Sequence, residues 1–428
     1  MDTQAEAKIL AAVDDLFAAQ VRLTQDLVRF PSLRGQEHTI QDFVYEVLRS
    51  RGAVMDRWRI AEHDIKHHPG FSPIDVSYEN AWNVVGSFRP RSESGRSLIL
   101  NAHVDVVPTG PADMWTAPPF EPIIRDGWLF GRGSADMKAG LAANIFALDA
   151  IRAAGFAAQA TVHVQSVVEE ESTGNGTLAA SARGYRADAV ICPEPEEEKL
   201  VRANAGVVWF SVRLTGRPAH TREMAEGFNA IDAAYGVIAA LRELETRWNA
   251  ERSRHRYFED LEHPINLNIG RIEGGDWNSM VPAWCTVHCR LAMYPGTSAQ
   301  QVRQAVEACV KAHAAATPAL ANNPPVVRWT GFFCEGYVLA EGTDAERVLA
   351  DAHARVFAAP LESFTTPAYL DARVTVLYDK IPTLVYGPRS RNIHGIDEAV
   401  DLASVKRISK TIALFVARWC GIAPTSAA

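Results

Sequence analysis

A chain of 428 residues exceeds what a single hydrophobic core usually serves, so two domains are expected. Its 43 Lys and Arg against 51 Asp and Glu leave a net charge of −8, and no long basic run offsets it, which argues against a nucleic-acid partner. The six cysteines are scattered without CxxC spacing, the usage of a reducing compartment. Cys285 and Cys289 fall in a predicted strand rather than a zinc-binding knuckle. The acidic, amphipathic amino terminus does not read as a signal peptide, and no apolar run reaches the length of a membrane span. A cytoplasmic protein without a membrane partner is the expectation.

Helical periodicity runs from residue 5 to 29 and stops before Pro31. Strands are predicted at Trp82 to Phe88, Ser97 to Val107, Thr161 to Val168 and Ala189 to Cys192, with a helix from about Met137 to Ala154 and a short one after Gly176. This alternation predicts an α/β fold with a mostly parallel sheet and helices on both faces. The pattern changes near Gly206. Strand (Val207 to Leu214), helix (about Asn229 to Trp248), two strands (Asn266 to Ile272 and Cys285 to Leu291), helix (Ser298 to Ala315) and strand (Val326 to Phe332) predict a compact α+β unit. Helix Asp344 to Phe357, strand Thr383 to Tyr386 and helix Leu402 to Trp419 then return to the first domain. The expected division is 1–205 with 333–428, and an inserted unit at 206–332.

Polar residues of metal-ligand type recur where apolar strands end, which is where open α/β sheets place their chemistry. His103 and Asp105 sit at the end of the run Ser97 to Asp105, and Asp136 follows the loop Gly131-Arg132-Gly133. Glu169-Glu170-Glu171 follow Val168, Glu194 follows Cys192-Pro193, and His394 lies in a loop punctuated by Gly and Pro. Residues two apart on a strand face the same way, so the Asp105 carboxylate is expected to take the proton of the second His103 ring nitrogen and fix its tautomer. Three consecutive carboxylates in a partly buried cleft call for cations. The later run Glu196-Glu197-Glu198 reads as a solvated acidic tip.

These motifs, continued through Trp115 to Phe120, Asp126 to Lys138, Gly216-Arg217-Pro218-Ala219-His220, Gly274-Gly275, Asn278, Asp371-Ala372-Arg373 and Gly387-Pro388, follow a family order along nearly the whole chain. The sequence resembles the dinuclear metal amidohydrolases and peptidases that include acetylornithine deacetylase, succinyl-diaminopimelate desuccinylase, aminoacylase and carboxypeptidase G. The resemblance implies a zinc-exopeptidase-like catalytic domain with an inserted dimerisation or lid domain. It implies two divalent metals, zinc with manganese or cobalt as substitutes. One would be held by His103 and Glu194, the other by Glu171 and His394, with Asp136 bridging. Glu170 becomes the general base. A one-residue slip would exchange the roles by making Glu169 the base and Glu170 the ligand; the spacing to Gly176 favours Glu170 as base.

The resemblance further assigns His220 to the oxyanion, reaching across a homodimer, and Asn278, Arg290 and Arg373 to the substrate. Tyr369 and Arg389 stand where relatives often have smaller residues, which predicts an aromatic and cationic pocket for a small anionic substrate. Deacylation of an N-acyl amino acid is the leading expectation. A dipeptidase or carboxypeptidase, hydrolytic deamination of an aromatic amino-carboxylate, and a noncatalytic binding protein on the same fold are the alternatives. Asp136 occupies the place where a dinucleotide fingerprint needs its third glycine, which argues against a nicotinamide enzyme.

Overall fold

Six strands form the central sheet in the order Val54–Arg59, Trp82–Phe88, Val162–Val167, Leu98–His103, Ala189–Cys192 and Thr383–Val385. The computed structural model describes residues 2–425. The first two pairings are antiparallel and the other three parallel. Leu98, Ile99, Leu100 and Ala102 are all buried, as a strand covered on both faces requires. The apolar helix Ala139–Ala153 packs against the long helix Thr3–Val28 and the closing helix Leu402–Trp419, while His38–Arg49 covers Trp82–Phe88.

Parallel pairing explains how the polar residues meet. His103 lies opposite Val167 in the register, so the acidic segment after Val168 emerges beside the imidazole. Ile191 pairs with both Leu100 and Leu384, which brings the segments leaving those strands to the same edge.

A second sheet, Leu267–Gly274, Trp284–Met293, Gly206–Thr215 and Val326–Cys334, is antiparallel throughout. Helices Ala230–Asn249 and Ala299–Ala316 pack against it around a core of their own, including Val212, Leu241, Val287 and Val306. Both helices start on clear sequence signals. The Asn229 side chain caps the first, and Ser298 with Gln301 forms a reciprocal capping box on the second.

Several elements differ from the sequence reading. Helix His38–Arg49 and strand Val54–Arg59 were not predicted. The helix expected from Met137 starts at Ala139, because residues 134–138 form an irregular turn that carries Asp136. The strand expected to run to Val107 ends at His103. A small sheet of Ser390–Arg391, Ala399–Asp401, Trp128–Phe130 and Ile123–Arg125 joins the two segments flanking Asp136 and His394. Among the described residues, no helix is long and apolar enough to cross a membrane.

Candidate metal centre and active site

His103, Asp136 and Glu171 each offer a ligand atom within 4.8 Å of the others. His103 Nε2 lies 3.1 Å from Asp136 Oδ1 and 3.8 Å from Glu194 Oε2. His394 Nε2 lies 3.0 Å from Glu171 Oε2 and 3.4 Å from Asp136 Oδ2. Asp136 therefore touches both imidazoles, with Glu194 on one side and Glu171 on the other. Glu170 Oε2 is 3.9 Å from His103 Nε2. All five residues expected as ligands, and the expected base, come together.

The buried carboxylates and imidazoles of this cluster shift one another's titration. Burial, reinforced by Glu194 and Glu171 and opposed by His103, pushes Glu170 well above the ordinary carboxyl range. Burial also raises Glu171 and takes Glu194 up to about 7. The charge of Glu171 is the main cause that raises His394 to about 11. Burial would lower His103, but Glu194, Asp105 and Asp136 together hold it well above its usual value. Two imidazoles and three carboxylates without a thiolate form a donor set suited to divalent zinc, manganese or cobalt. The residues present fit a pair of such ions.

Asp105 acts differently from the sequence reading. The nearest acceptor to His103 Nδ1 is the Asp105 backbone carbonyl at 3.0 Å, while the carboxylate is 3.5 Å away. The carboxylate instead accepts the amides of Glu170 at 3.3 Å and Glu171 at 3.0 Å. It orients the acidic turn as well as the imidazole. Glu169 is clamped by Arg34 through two contacts of 2.5 and 3.0 Å and by the Tyr78 hydroxyl at 2.7 Å. Glu169 and His394 both adopt left-handed backbone, at φ 67° and 62°. That conformation costs a non-glycine residue roughly 1–3 kcal/mol and persists where its surroundings impose it.

A cavity of about 960 Å³ opens on this cluster and runs between the two sheets. Arg290 lines it from the second sheet. Its Nη2 donates only to the Pro367 carbonyl, at 3.3 Å; burial pulls its pKa down, and among the described residues it has no ion pair. Tyr369 also lines the cavity, its hydroxyl donating to Asp371 at 2.7 Å. Gly174 makes this possible, since a β-carbon there would lie 1.8 Å from the Tyr369 oxygen.

Four expected site residues are not brought to the cavity. Arg373 is fully buried, and its guanidinium donates to the Gly70 carbonyl at 2.8 Å behind Tyr369. Arg389 pairs with Asp401 at 2.9 Å and Glu198 at 3.6 Å, which occupies the charge that was expected to meet substrate. His220 and Asn278 lie exposed on the second unit, where His220 forms an isolated bridge with Met280. The acidic run 196–198 is not a solvated tip. Glu198 pairs with Arg407 and Arg389, Glu197 accepts the Ser390 amide, and Glu196 lines the cavity.

Sequence reasoning missed Arg34, Trp209 and Phe332, all on the cavity wall. Trp209 had a signal. On the strand Gly206–Thr215 it shares a face with Ser211 and Arg213, opposite the core residues Val208, Phe210 and Val212. A large aromatic on the polar face of an amphipathic strand is a candidate contact residue.

An α/β sheet with imidazoles and carboxylates at its strand ends, facing a second antiparallel unit across a deep cavity, defines a metallohydrolase architecture. The sequence model of Peptidase family M20/M25/M40 matches residues 99–418, and the chain belongs to that family. It is 27% identical over 436 residues to the N-formyl-4-amino-5-aminomethyl-2-methylpyrimidine deformylase of Halalkalibacterium halodurans, covering 96% of this chain and 97% of that one. It is 29% identical over 336 residues to an acetylornithine deacetylase of Yersinia pseudotuberculosis, covering 77% and 80%. The structure of the di-peptidase Dug1p from Saccharomyces cerevisiae matches with a TM-score of 0.77 and 17% identity, covering 99% and 100%. The protein is a hydrolase of C–N bonds with a candidate metal centre.

Proposed function

We propose that the chain removes the acyl group from an N-acyl amino acid or a similarly anionic amide. The observation that carries this reading is Arg290, a half-buried guanidinium without a carboxylate partner among the described residues, in the same cavity as Glu170 and the imidazole–carboxylate cluster. A substrate carboxylate would supply the missing partner in the bidentate geometry arginine favours.

His103 and Glu194 would hold one divalent ion, Glu171 and His394 a second, and Asp136 both, with zinc the expected metal and manganese or cobalt its substitutes. Such ions supply Lewis acidity, polarising a carbonyl and lowering the proton affinity of water. Glu170 takes a proton from the attacking water and delivers it to the amine nitrogen as the C–N bond breaks, leaving a carboxylic acid and an amine, which exchange a proton to become carboxylate and ammonium. Asp105 fixes the turn that carries Glu170, and Arg34 holds that turn through Glu169. His220 donates to the developing oxyanion. Its exposure in a single chain supports action from a second copy, and so do the exposed Ile272, Trp277 and Tyr235 on the same unit.

In this reading residues 1–205 and 333–428 are the catalytic domain, and 206–332 the dimerisation and lid domain of a homodimer. All six cysteines are free thiols, which supports a cytoplasmic location. The test is an assay of the metal-loaded protein on N-acyl amino acids, dipeptides and aromatic amino-carboxylates, before and after chelation. Release of the amino acid from N-acyl substrates, lost on chelation and restored by zinc or manganese, is the expected result. Turnover confined to the other two classes, or indifference to complete metal removal, overturns the proposal.

A further inference from the structure

The face that the second sheet turns toward the cavity is chemically sorted. From one edge to the other, its strands present Phe332, then Trp209, then Arg290 and His288, then Asn268 and Arg271. The aromatic end continues into the catalytic unit. The Phe332 ring lies 4.9 Å from Trp209 at 83° and 4.3 Å from Tyr369 at 38°. These rings are held in place. The Trp209 indole rests on Gly331, at φ 70°, where a β-carbon would approach the ring to 2.4 Å. Tyr369 is anchored through Asp371.

Register then decides how ring and charge relate. Trp209 and Arg290 are directly opposite on neighbouring antiparallel strands, a placement that sets β-carbons about 4.5–5.5 Å apart. A carboxylate on Arg290 would therefore lie beside the aromatic wall, so a ring placed there belongs to the same fragment of substrate as the carboxylate. We infer that the amine released is an aromatic amino acid, its ring against Trp209, Phe332 and Tyr369 and its carboxylate on Arg290. This rests on the deacylase reading above and adds the identity of the leaving group. An N-aroyl glycine would put the ring on the far side of the scissile bond from the carboxylate, which this register does not favour.

The test compares N-acetylphenylalanine, N-acetylalanine and N-benzoylglycine with the metal-loaded full-length protein. The kcat/KM of N-acetylphenylalanine should exceed each of the others by about tenfold or more, the scale of discrimination an apolar pocket gives. Trp209→Ala should collapse the ratio of phenylalanine to alanine substrates, and Trp209→Phe should retain most of it. A wild-type ratio near one, a preference for N-benzoylglycine, or an unchanged ratio in a folded Trp209→Ala protein overturns the inference. Calorimetric titration with phenylalanine and alanine separates the two proposals without turnover. Tighter binding of phenylalanine in a protein that hydrolyses none of the three amides sinks the deacylase reading and keeps the aromatic pocket. Equal binding sinks the pocket. If Trp209→Ala does not fold, Phe332→Leu is measured in its place, with the same fall in the ratio expected.

Discussion

Arg132 and Glu398 form an ion pair of 2.5 Å in which each side chain is 1% exposed. The Glu398 carboxylate also accepts the amides of Gly133, Ala135 and Asp136, while Arg132 donates to the carbonyls of Pro108 and Gly395. This pair ties the turn carrying Asp136 to the loop carrying His394. Removing one partner strands a buried charge, which costs about 3–5 kcal/mol. Glu398→Ala is expected to lose stability of that order in urea unfolding. Because the outer partners of a metal site typically govern 10–100-fold in affinity, zinc binding should weaken by about that factor. A variant with unchanged stability and zinc affinity would show that the pair does not organise the centre.

Glu170 is 6% exposed, lines the cavity and makes no hydrogen bond through its carboxylate to another described side chain. That freedom suits a group that takes up and releases a proton. Glu170→Gln keeps the shape and removes the base, so kcat should fall by about 10²–10⁴-fold, the usual worth of a positioned acid–base group. Metal content measured on the same sample should stay at the wild-type level. A fall of less than tenfold would assign the proton transfer elsewhere, with Glu169 the first residue to examine.

Glu37 is 1% exposed, and among the described residues neither of its carboxylate oxygens has a hydrogen-bond partner. Burial, with the charge of Asp105 beside it, pushes its pKa up to about 8. The sign follows from linkage. A carboxyl whose folded pKa lies above its unfolded value contributes its full stability below the unfolded pKa, and that contribution is lost as pH rises through the folded one. The protein should therefore lose stability between about pH 4.5 and 8 through this group, relative to a variant without it. Glu37→Gln is expected to be more stable than wild type at pH 8, with the difference shrinking toward pH 5. Parallel stability profiles for the two proteins in that window would refute the assignment.

Much of the fold and of the site can be read from local signals. Strand Leu98–His103 is apolar apart from Asn101 and ends in an imidazole, and helix Ala299–Ala316 opens on a capping box; both signals are local and strong. His103, Glu171 and Glu194 stand out because they follow apolar runs, whereas Asp136 and His394 sit in Gly-punctuated loops and were legible as ligands only through the family resemblance. Arg389 and Arg373 misled because nothing local in the sequence indicates a counter-charge. Asp401 and Glu198 meet Arg389 only after folding, and Arg373 is sealed behind Tyr369. Arg34 was hidden for the same reason, its partner Glu169 being distant in the chain. Phe332 became a wall residue through the pairing of Val326–Cys334 with Gly206–Thr215, a register that composition does not specify.

His220 accepts the Arg222 amide on Nδ1 at 3.0 Å, which leaves Nε2 as the nitrogen able to donate. It lies outside the cavity lining of its own chain. If it completes the site of a second copy, two inactive variants should complement one another. A chain carrying His220→Ala still offers Glu170, and a chain carrying Glu170→Gln still offers His220. In an isologous dimer with random exchange, half the molecules are mixed and one of their two sites is intact, so activity should recover to about a quarter of wild type. The measurement mixes the two purified variants under conditions that exchange subunits and follows amide hydrolysis over time. Recovery would place His220 in the partner's active site. A mixture that exchanges subunits and remains as inactive as its components would put His220 in the site of its own chain, reached by closure of the second unit.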